Sequence, residues 1–289
     1  RSTRRSTRRS TRRSTRRSTR RSTRRSTRRS TRRSTRRSTR GPANPKNVVS
    51  TPNKTVHQIF YNIGKGELKD IPSFQKCYEN NKKICNANGI TYKLWSEKDV
   101  QKLLQEKSVP EKYRKLYTDF DSHPLGQPIQ KIDFARYLIL WLKGGIYIDL
   151  DICIIDNKNK IKKVKELFEK DYFFVRWDTS KLPYNALLGT HKRTDLYKDI
   201  LDHCYDSFYE KSKQSIYKTW KGRFVFQTTG HYMINRVIKK NKIKSSEFLN
   251  IMKIQNPDKR SNKVVCKQPP KCPDALFEDA NVSVWYTGK

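Results

Sequence analysis

The first forty residues contain no apolar side chain and no acidic one. A segment with no apolar surface to bury cannot offset the entropy of ordering, which excludes a packed domain there and leads us to expect disorder. No run in the chain approaches the roughly 18–20 apolar residues of a membrane span. The longest, Tyr137 to Leu142, has the length of a buried helix. No signal peptide is visible, although the N-terminal segment stands where one would be found. No CxxC pair or His-rich cluster points to a zinc site. The body has no RNA-binding signature, since its lysines are dispersed rather than grouped with aromatics into a stripe. Its six cysteines (Cys77, Cys85, Cys153, Cys204, Cys266, Cys272) are even in number but too sparse for a disulfide scaffold. Cys266 and Cys272 are placed to close a small loop.

What is present divides into two unlike parts. Arg1 to Arg40 is the unit Arg-Ser-Thr-Arg repeated ten times without variation. Its arginines fit polyanions and its hydroxyls fit phosphorylation. Gly41-Pro42 directly after it reads as the scar of a protease site, which points to an attached tag. Residues 41–54 read as a linker and 55–289 as one domain, long enough for a large α/β core. Setting aside the repeat's 20 arginines leaves 45 basic residues against 27 acidic ones, a net +18. An AT-rich genome would produce this Lys-, Asn-, Ile- and Tyr-rich body, as in a parasite or large DNA virus; a basic face for an anionic partner would also produce it. A soluble, cytoplasmic protein is favoured over a Golgi-lumen fragment. Asn53-Lys-Thr and Asn281-Val-Ser fit the glycosylation sequon.

Along the body, strands are expected at Thr55–Tyr61, Ile90–Trp95, Ile146–Ile148, Asp171–Trp177 and Ala280–Tyr286. Helices are expected at Pro72 to about Ala87, from Ser96 through Leu104, Pro110 to about Tyr117, Ile129–Lys143, Val164–Lys170, Arg193 to about Lys213, and Gly230–Lys240. Ser96-Glu-Lys-Asp99 is close to a capping box. Ser180 to Asn185 and Ser212 to Thr228 read as loops. Alternating strands and helices argue for a mostly parallel, doubly wound sheet flanked by helices.

The chemistry concentrates between Pro128 and Ile155. Gly144-Gly145 ends the apolar helix, and Asp149-Leu-Asp151 sits at the carboxyl end of the short strand that follows. Two carboxylates beside an apolar strand are costly unless a cation offsets them, and a hard divalent ion bridging to phosphate does so. A solvated strand-end turn is the plainer alternative. One helix earlier, Asp133 and Arg136 share a side at i, i+3 spacing, either as a simple ion pair or as a holder of sugar hydroxyls and phosphate.

The run IDFARYLILWLKGGIYIDLDI resembles the DXD block of GT-A glycosyltransferases of the sugar-binding-region family, which includes yeast initiating and inositolphosphoceramide mannosyltransferases. The glucosylating toxins of clostridia carry a similar block. Val56-His57-Gln58-Ile59-Phe60 resembles the family's opening strand; Asn185-Ala-Leu-Leu-Gly189 and Thr229-Gly230 are weaker matches, with His231 in place of the usual proline. The resemblance implies that Phe60 stacks on the nucleobase, Asp133 and Arg136 hold the donor sugar, and Tyr147 lies near ribose or phosphate. It makes Asp151 the metal ligand, with Asp149 shared between ribose and metal. Asn281-Val-Ser283-Val-Trp285 resembles the toxins' terminal segment, so Asn281 or Ser283 would complete the metal and diphosphate site and Trp285 would meet the leaving group. Asp133 or Asn185 would stand near the anomeric carbon.

The expectation is a retaining, Mn²⁺- or Mg²⁺-dependent transferase for a nucleotide-sugar, UDP-sugar favoured and GDP-mannose the alternative. Its acceptor, whether protein, glycan or lipid, is unread. The competing expectation is a polyanion- or RNA-binding protein acting through the repeat, with an inactive transferase fold behind it.

Overall fold

The computed structural model describes residues 53–64, 66–176, 182–254 and 274–280. The repeat, most of the linker, the Cys266–Cys272 pair and the expected strand after Ala280 lie outside the described residues. The strands are β1 (Thr55–Ile59), β2 (Thr91–Trp95), β3 (Gly145–Ile148), β4 (Ile152–Ile154), β5 (Tyr172–Arg176), β6 (Pro183–Thr190), β7 (Met252–Ile254) and β8 (Phe277–Asp279). The central sheet has the order β2-β1-β3-β6-β5. Strands β2, β1 and β3 are parallel, and β6 is antiparallel to both β3 and β5. Four strands therefore share one direction, and the chain forms the mostly parallel α/β sheet its alternating pattern implies. A second sheet, β4-β8-β7, lies downstream of β3.

The sheet has a core on each face, as period-2 side chains require. In β3, Ile146 and Ile148 join one core with Val56, Ile84 and Leu167, while Tyr147 joins the other with Leu138, Tyr197 and Phe208. The second core is built on α4 (Pro128–Lys143), which packs against α3 (Glu111–Ser122), α6 (Asp195–Ser212), β3 and β6. From Gln130 to Leu142 every α4 residue but Ile132 is buried. A helix buried on all sides lies inside the domain, so Lys131, Asp133 and Arg136 need partners there.

Local signals set most boundaries. Pro72 opens α1 (Pro72–Ala87), where its missing N–H costs nothing. The Ser96 box forms as read at the start of α2 (Glu97–Leu104). The Ser96 hydroxyl accepts from Asp99 N at 3.2 Å, and the Asp99 carboxylate accepts from Ser96 N at 3.0 Å. Helix α5 (Lys158–Leu167) starts earlier than its apolar spacing indicates, because the Asn157 side chain caps it by accepting from Asn159 N and Lys160 N. Described parts of the segments read as loops form regular elements: β6 covers Pro183–Thr190, and α7 (Ile216–Thr219) and α8 (Lys221–Thr228) lead into α9 (His231–Lys240). None of the described helices is long and apolar enough to cross a membrane.

Gly144 and Gly145 make the corner from α4 into β3 with φ of 68° and 98°. A Cβ on Gly145 would stand 2.4 Å from the Thr55 carbonyl oxygen and 3.0 Å from His57 Nε2. Gly145→Ala should therefore cost at least about 2 kcal/mol from left-handed strain plus the collision, read as a lowered urea midpoint with unchanged m-value.

One disulfide forms that the sequence reading did not name. Cys77 of α1 is bonded to Cys153 of β4 across 76 residues, while Cys85 and Cys204 are free and buried. A loop of that length limits the unfolded chain strongly, so Cys77→Ser should lower stability by about 2–4 kcal/mol, and reductant should lower the melting point of the parent but not of the variant.

Candidate active site

Strand β1 supplies the scaffold of the site. His57 is buried, and burial lowers its pKa to about 4, with the Gly144 hydrogen bond resisting the shift. The neutral ring has one tautomer that fits: Nε2–H donates to the Gly144 carbonyl at 2.8 Å, and Nδ1 accepts from Trp95 Nε1 at 3.1 Å. Gln58 follows; its amide donates to the Asp149 carbonyl at 2.9 Å and accepts from the Tyr92 hydroxyl at 2.5 Å. The two side chains thus pin the glycine corner and the backbone of the first DXD acid. Phe60 comes just past the end of β1, half-buried and in neither core.

The centre is a charge network around Arg136. Its Nη2 lies 2.9 Å from Asp133 Oδ1, and its Nη1 lies 3.4 Å from Asp149 Oδ1 and donates to the Asn185 carbonyl at 2.7 Å. The guanidinium also lies over the Tyr147 ring, 4.9 Å from its centre. Asp133 is held from two further sides: Asn185 Nδ2 donates to Oδ1 at 3.1 Å, and the Thr229 hydroxyl donates to Oδ2 at 2.9 Å. The Tyr147 hydroxyl donates to Asp149 Oδ1 at 2.5 Å. Asp133 and Arg136 are buried, whereas the Asp149 side chain keeps 29% of its surface open.

Two carboxylates therefore share one buried guanidinium, and Asp149 is the one that still reaches water. Burial pushes the Asp133 carboxyl up to about 6, with Arg136 and Thr229 pulling it down only in part. Burial also raises Asp149 against the pull of Arg136 and the Tyr147 hydroxyl. Desolvation works against the Arg136 charge, but Asp149, Tyr147 and Asp133 more than offset it, and the guanidinium stays charged. Its Nε is buried without a hydrogen-bond partner among the described residues.

Asp151 lies two residues on, partly exposed, at the turn into β4. Its carbonyl accepts from Ala280 N at 2.9 Å, and Tyr184 donates to Asp279 Oδ2 at 2.5 Å; burial raises that phenol most, and the charges of Asp279, Asp151 and Asp149 add to it. Among the described residues no group of three or more His, Cys, Asp or Glu side chains is arranged to hold a metal. Asn281, Ser283 and Trp285 lie outside the described residues.

The structure thus brings Asp133, Arg136, Tyr147, Asp149 and Asn185 into one network. Tyr147 is buried and reaches Asp149 rather than the surface. Sequence reasoning gave no role to His57, Gln58 or the Thr229 hydroxyl. The only signal for them was the match to the family's opening strand and its Thr-Gly pair.

Asp149 follows the carboxyl end of β3 and meets the buried Asp133–Arg136 pair there, where open α/β sheets bind their ligands. Residues 64–168 match the family model described as "Glycosyltransferase sugar-binding region containing DXD motif". It is 30% identical over 135 residues to "Uncharacterized glycosyltransferase L373" of Acanthamoeba polyphaga mimivirus, covering 46% of this chain and 47% of that protein. It is 38% identical over 67 residues to "Inositol phosphoceramide mannosyltransferase 1" of Schizosaccharomyces pombe, covering 23% of this chain and 19% of that protein. The chain thus matches less than half the length of either relative. Among solved structures, the PaToxG glycosyltransferase aligns with a TM-score of 0.47 at 14% identity, over 65% of this chain and 69% of that one. The UDP-bound glycosyltransferase domain of the YGT toxin aligns at 0.36 and 12% identity, over 61% and 55%.

Proposed function

We propose that the chain is a retaining glycosyltransferase that takes a sugar from a UDP-sugar, with GDP-mannose the alternative donor, and passes it to a protein, glycan or lipid acceptor. The observation that carries this reading is the Asp133–Arg136–Asp149 network. It holds a charged guanidinium between two acids beyond the carboxyl ends of β1 and β3, with one buried N–H directed to no described partner. In this reading Arg136 Nε meets a donor oxygen, Asp133 and Asn185 hold the sugar near its anomeric carbon, and Phe60 stacks on the base. Tyr147 orients Asp149 through its hydroxyl rather than touching the donor. Ser283 and Trp285 meet the leaving diphosphate.

The donor set fits a hard divalent cation, Mn²⁺ or Mg²⁺: Asp149 and Asp151 offer carboxylate oxygens, and Asn281 directly follows Ala280, whose N–H is bonded to the Asp151 carbonyl. Two carboxylates are too few for a closed protein cage, which suits an ion that completes its shell on phosphate oxygens. When bound, such an ion supplies charge neutralisation for the departing diphosphate. The protein's own part is to fix the sugar, keep Arg136 charged and hold the acids in place.

A thermal-shift panel of UDP-glucose, UDP-galactose, UDP-N-acetylglucosamine and GDP-mannose, each with and without Mn²⁺, tests the reading. A UDP-sugar should raise the melting point in a metal-dependent way, by several degrees at about a hundredfold excess over Kd. The largest shift with GDP-mannose would overturn the UDP preference, and no shift with any donor would overturn the transfer reading. Removing residues 1–40 should leave donor hydrolysis unchanged; its loss would favour the polyanion-binding alternative.

A further inference from the structure

The exposed large apolar side chains of the described residues number three, Ile216 (51% exposed), Trp220 (59%) and Tyr232 (40%), and all fall within a span of seventeen residues. Ile216 opens α7, Trp220 is the joint between α7 and α8, and Tyr232 stands in the first turn of α9. Arg223 lies over the Trp220 ring, 5.5 Å from its centre, and Tyr232 packs at a tilt against His231, which leans on Phe226. Along this stretch of the sequence the charge is of one sign. From Lys211 to Ser246 there are ten lysines and arginines and no acidic residue. Lys240 is paired with Asp199 at 3.5 Å, but Lys213, Lys218, Lys221 and Arg223 are exposed and form no ion pair with a described residue.

We propose that α7, α8 and the start of α9 form a docking surface for an anionic lipid bilayer, with Ile216 and Trp220 entering the headgroup boundary and Lys213, Lys218, Lys221 and Arg223 meeting lipid phosphates. Three features favour a bilayer over another polyanion. Trp and Tyr are amphipathic rings that settle at the headgroup level. Lysine stems extend along apolar surface while their ammonium groups reach water and phosphate. Ile216 is a fully aliphatic tip, which gains from acyl chains but offers a nucleobase no stacking face. The surface also adjoins the candidate active site, because Thr229, between α8 and α9, bonds directly to Asp133. Docking would bring that site to the membrane and favour an acceptor presented there. The surface itself does not rest on the transfer reading.

Brominated-lipid quenching of tryptophan fluorescence in the full chain tests this, since it reports insertion and not the electrostatic attraction of the arginine repeat. Vesicles of phosphatidylserine and brominated phosphatidylcholine should quench the parent protein. Trp220→Phe should abolish that component while leaving donor hydrolysis unchanged, so the two readings can fail separately. Replacing Lys218 and Lys221 by Gln should raise the lipid needed for half-maximal quenching roughly thirtyfold, at about 1 kcal/mol per basic residue. No quenching in the parent, or equal quenching in Trp220→Phe, would overturn the proposal. A Trp220-dependent signal with single-stranded RNA or a soluble oligosaccharide but not with vesicles would also overturn it.

Discussion

Replacing Asp151 by Ala should lower metal-dependent donor hydrolysis by about 10²–10³-fold, the usual cost of removing one preorganised electrostatic partner from an active site. The fold should survive, because Asp151 is partly exposed and the Ala280 hydrogen bond uses its backbone carbonyl, which the substitution keeps. Asp149→Asn should be as damaging to activity but should differ in stability. Its carboxylate accepts from the Tyr147 hydroxyl and faces Arg136, so the amide weakens a network that is partly buried. Activity assays at saturating Mn²⁺, paired with urea unfolding, separate the two effects. Full activity in Asp151→Ala would remove the acidic pair from the mechanism.

Asp133→Asn should separate activity from stability most sharply. Burial holds the Asp133 carboxyl near 6, above its ordinary 3.8, so its charged form at neutral pH is a cost to the folded state. That cost is about 3 kcal/mol at pH 7 and above, at 1.36 kcal/mol per unit. Asparagine keeps the shape: its oxygen can accept from Asn185 and Arg136, while its nitrogen faces the Thr229 hydroxyl, which has the Val225 carbonyl at 3.3 Å as a second acceptor. The variant should therefore unfold within about 1 kcal/mol of the parent at pH 7–8, or later. Donor hydrolysis should fall by about 10²-fold or more, because one of the two charges opposite Arg136 is gone.

The same pair sets an expected pH dependence. A raised carboxyl adds stability below its unfolded pKa and loses it as pH rises through about 6. His57 acts in the opposite direction: with its folded pKa near 4 against 6.5 unfolded, its contribution is complete above 6.5 and is lost as pH falls toward 4. In the parent the two nearly cancel between about pH 6 and 4. Asp133→Asn removes one side, so between pH 7 and 5 it should lose about 1–2 kcal/mol more stability than the parent. Equal pH profiles would show that Asp133 is not buried as a strained acid.

Much of this architecture is legible in the sequence because the signals are local. The strongly apolar α4, its Gly-Gly stop, the Ser96 box and the position of Asp149 just past β3 all follow from spacing and backbone chemistry. What is not legible depends on tertiary neighbours. Strand β6 lies inside the sheet with side chains in both cores, so its run lacks the alternation that marks a half-buried strand. The Cys77–Cys153 bond joins α1 to β4 only because the fold stacks them. The Thr229 hydroxyl meets Asp133 across 96 residues, and no pattern within either segment announces that contact. His57 and Gln58 look like ordinary strand residues; their roles as anchors of Gly144 and Asp149 appear only when β1 and β3 are paired.

The most direct test is a crystal soaked with UDP and Mn²⁺ and measured at the manganese edge. The proposed site predicts one anomalous peak with an Asp151 carboxylate oxygen at about 2.0–2.3 Å, the diphosphate bridging to it, Arg136 Nε on a donor oxygen and uracil on the Phe60 face. UDP and manganese bound together elsewhere on the protein, with Asp149 and Asp151 in contact with neither, would contradict it.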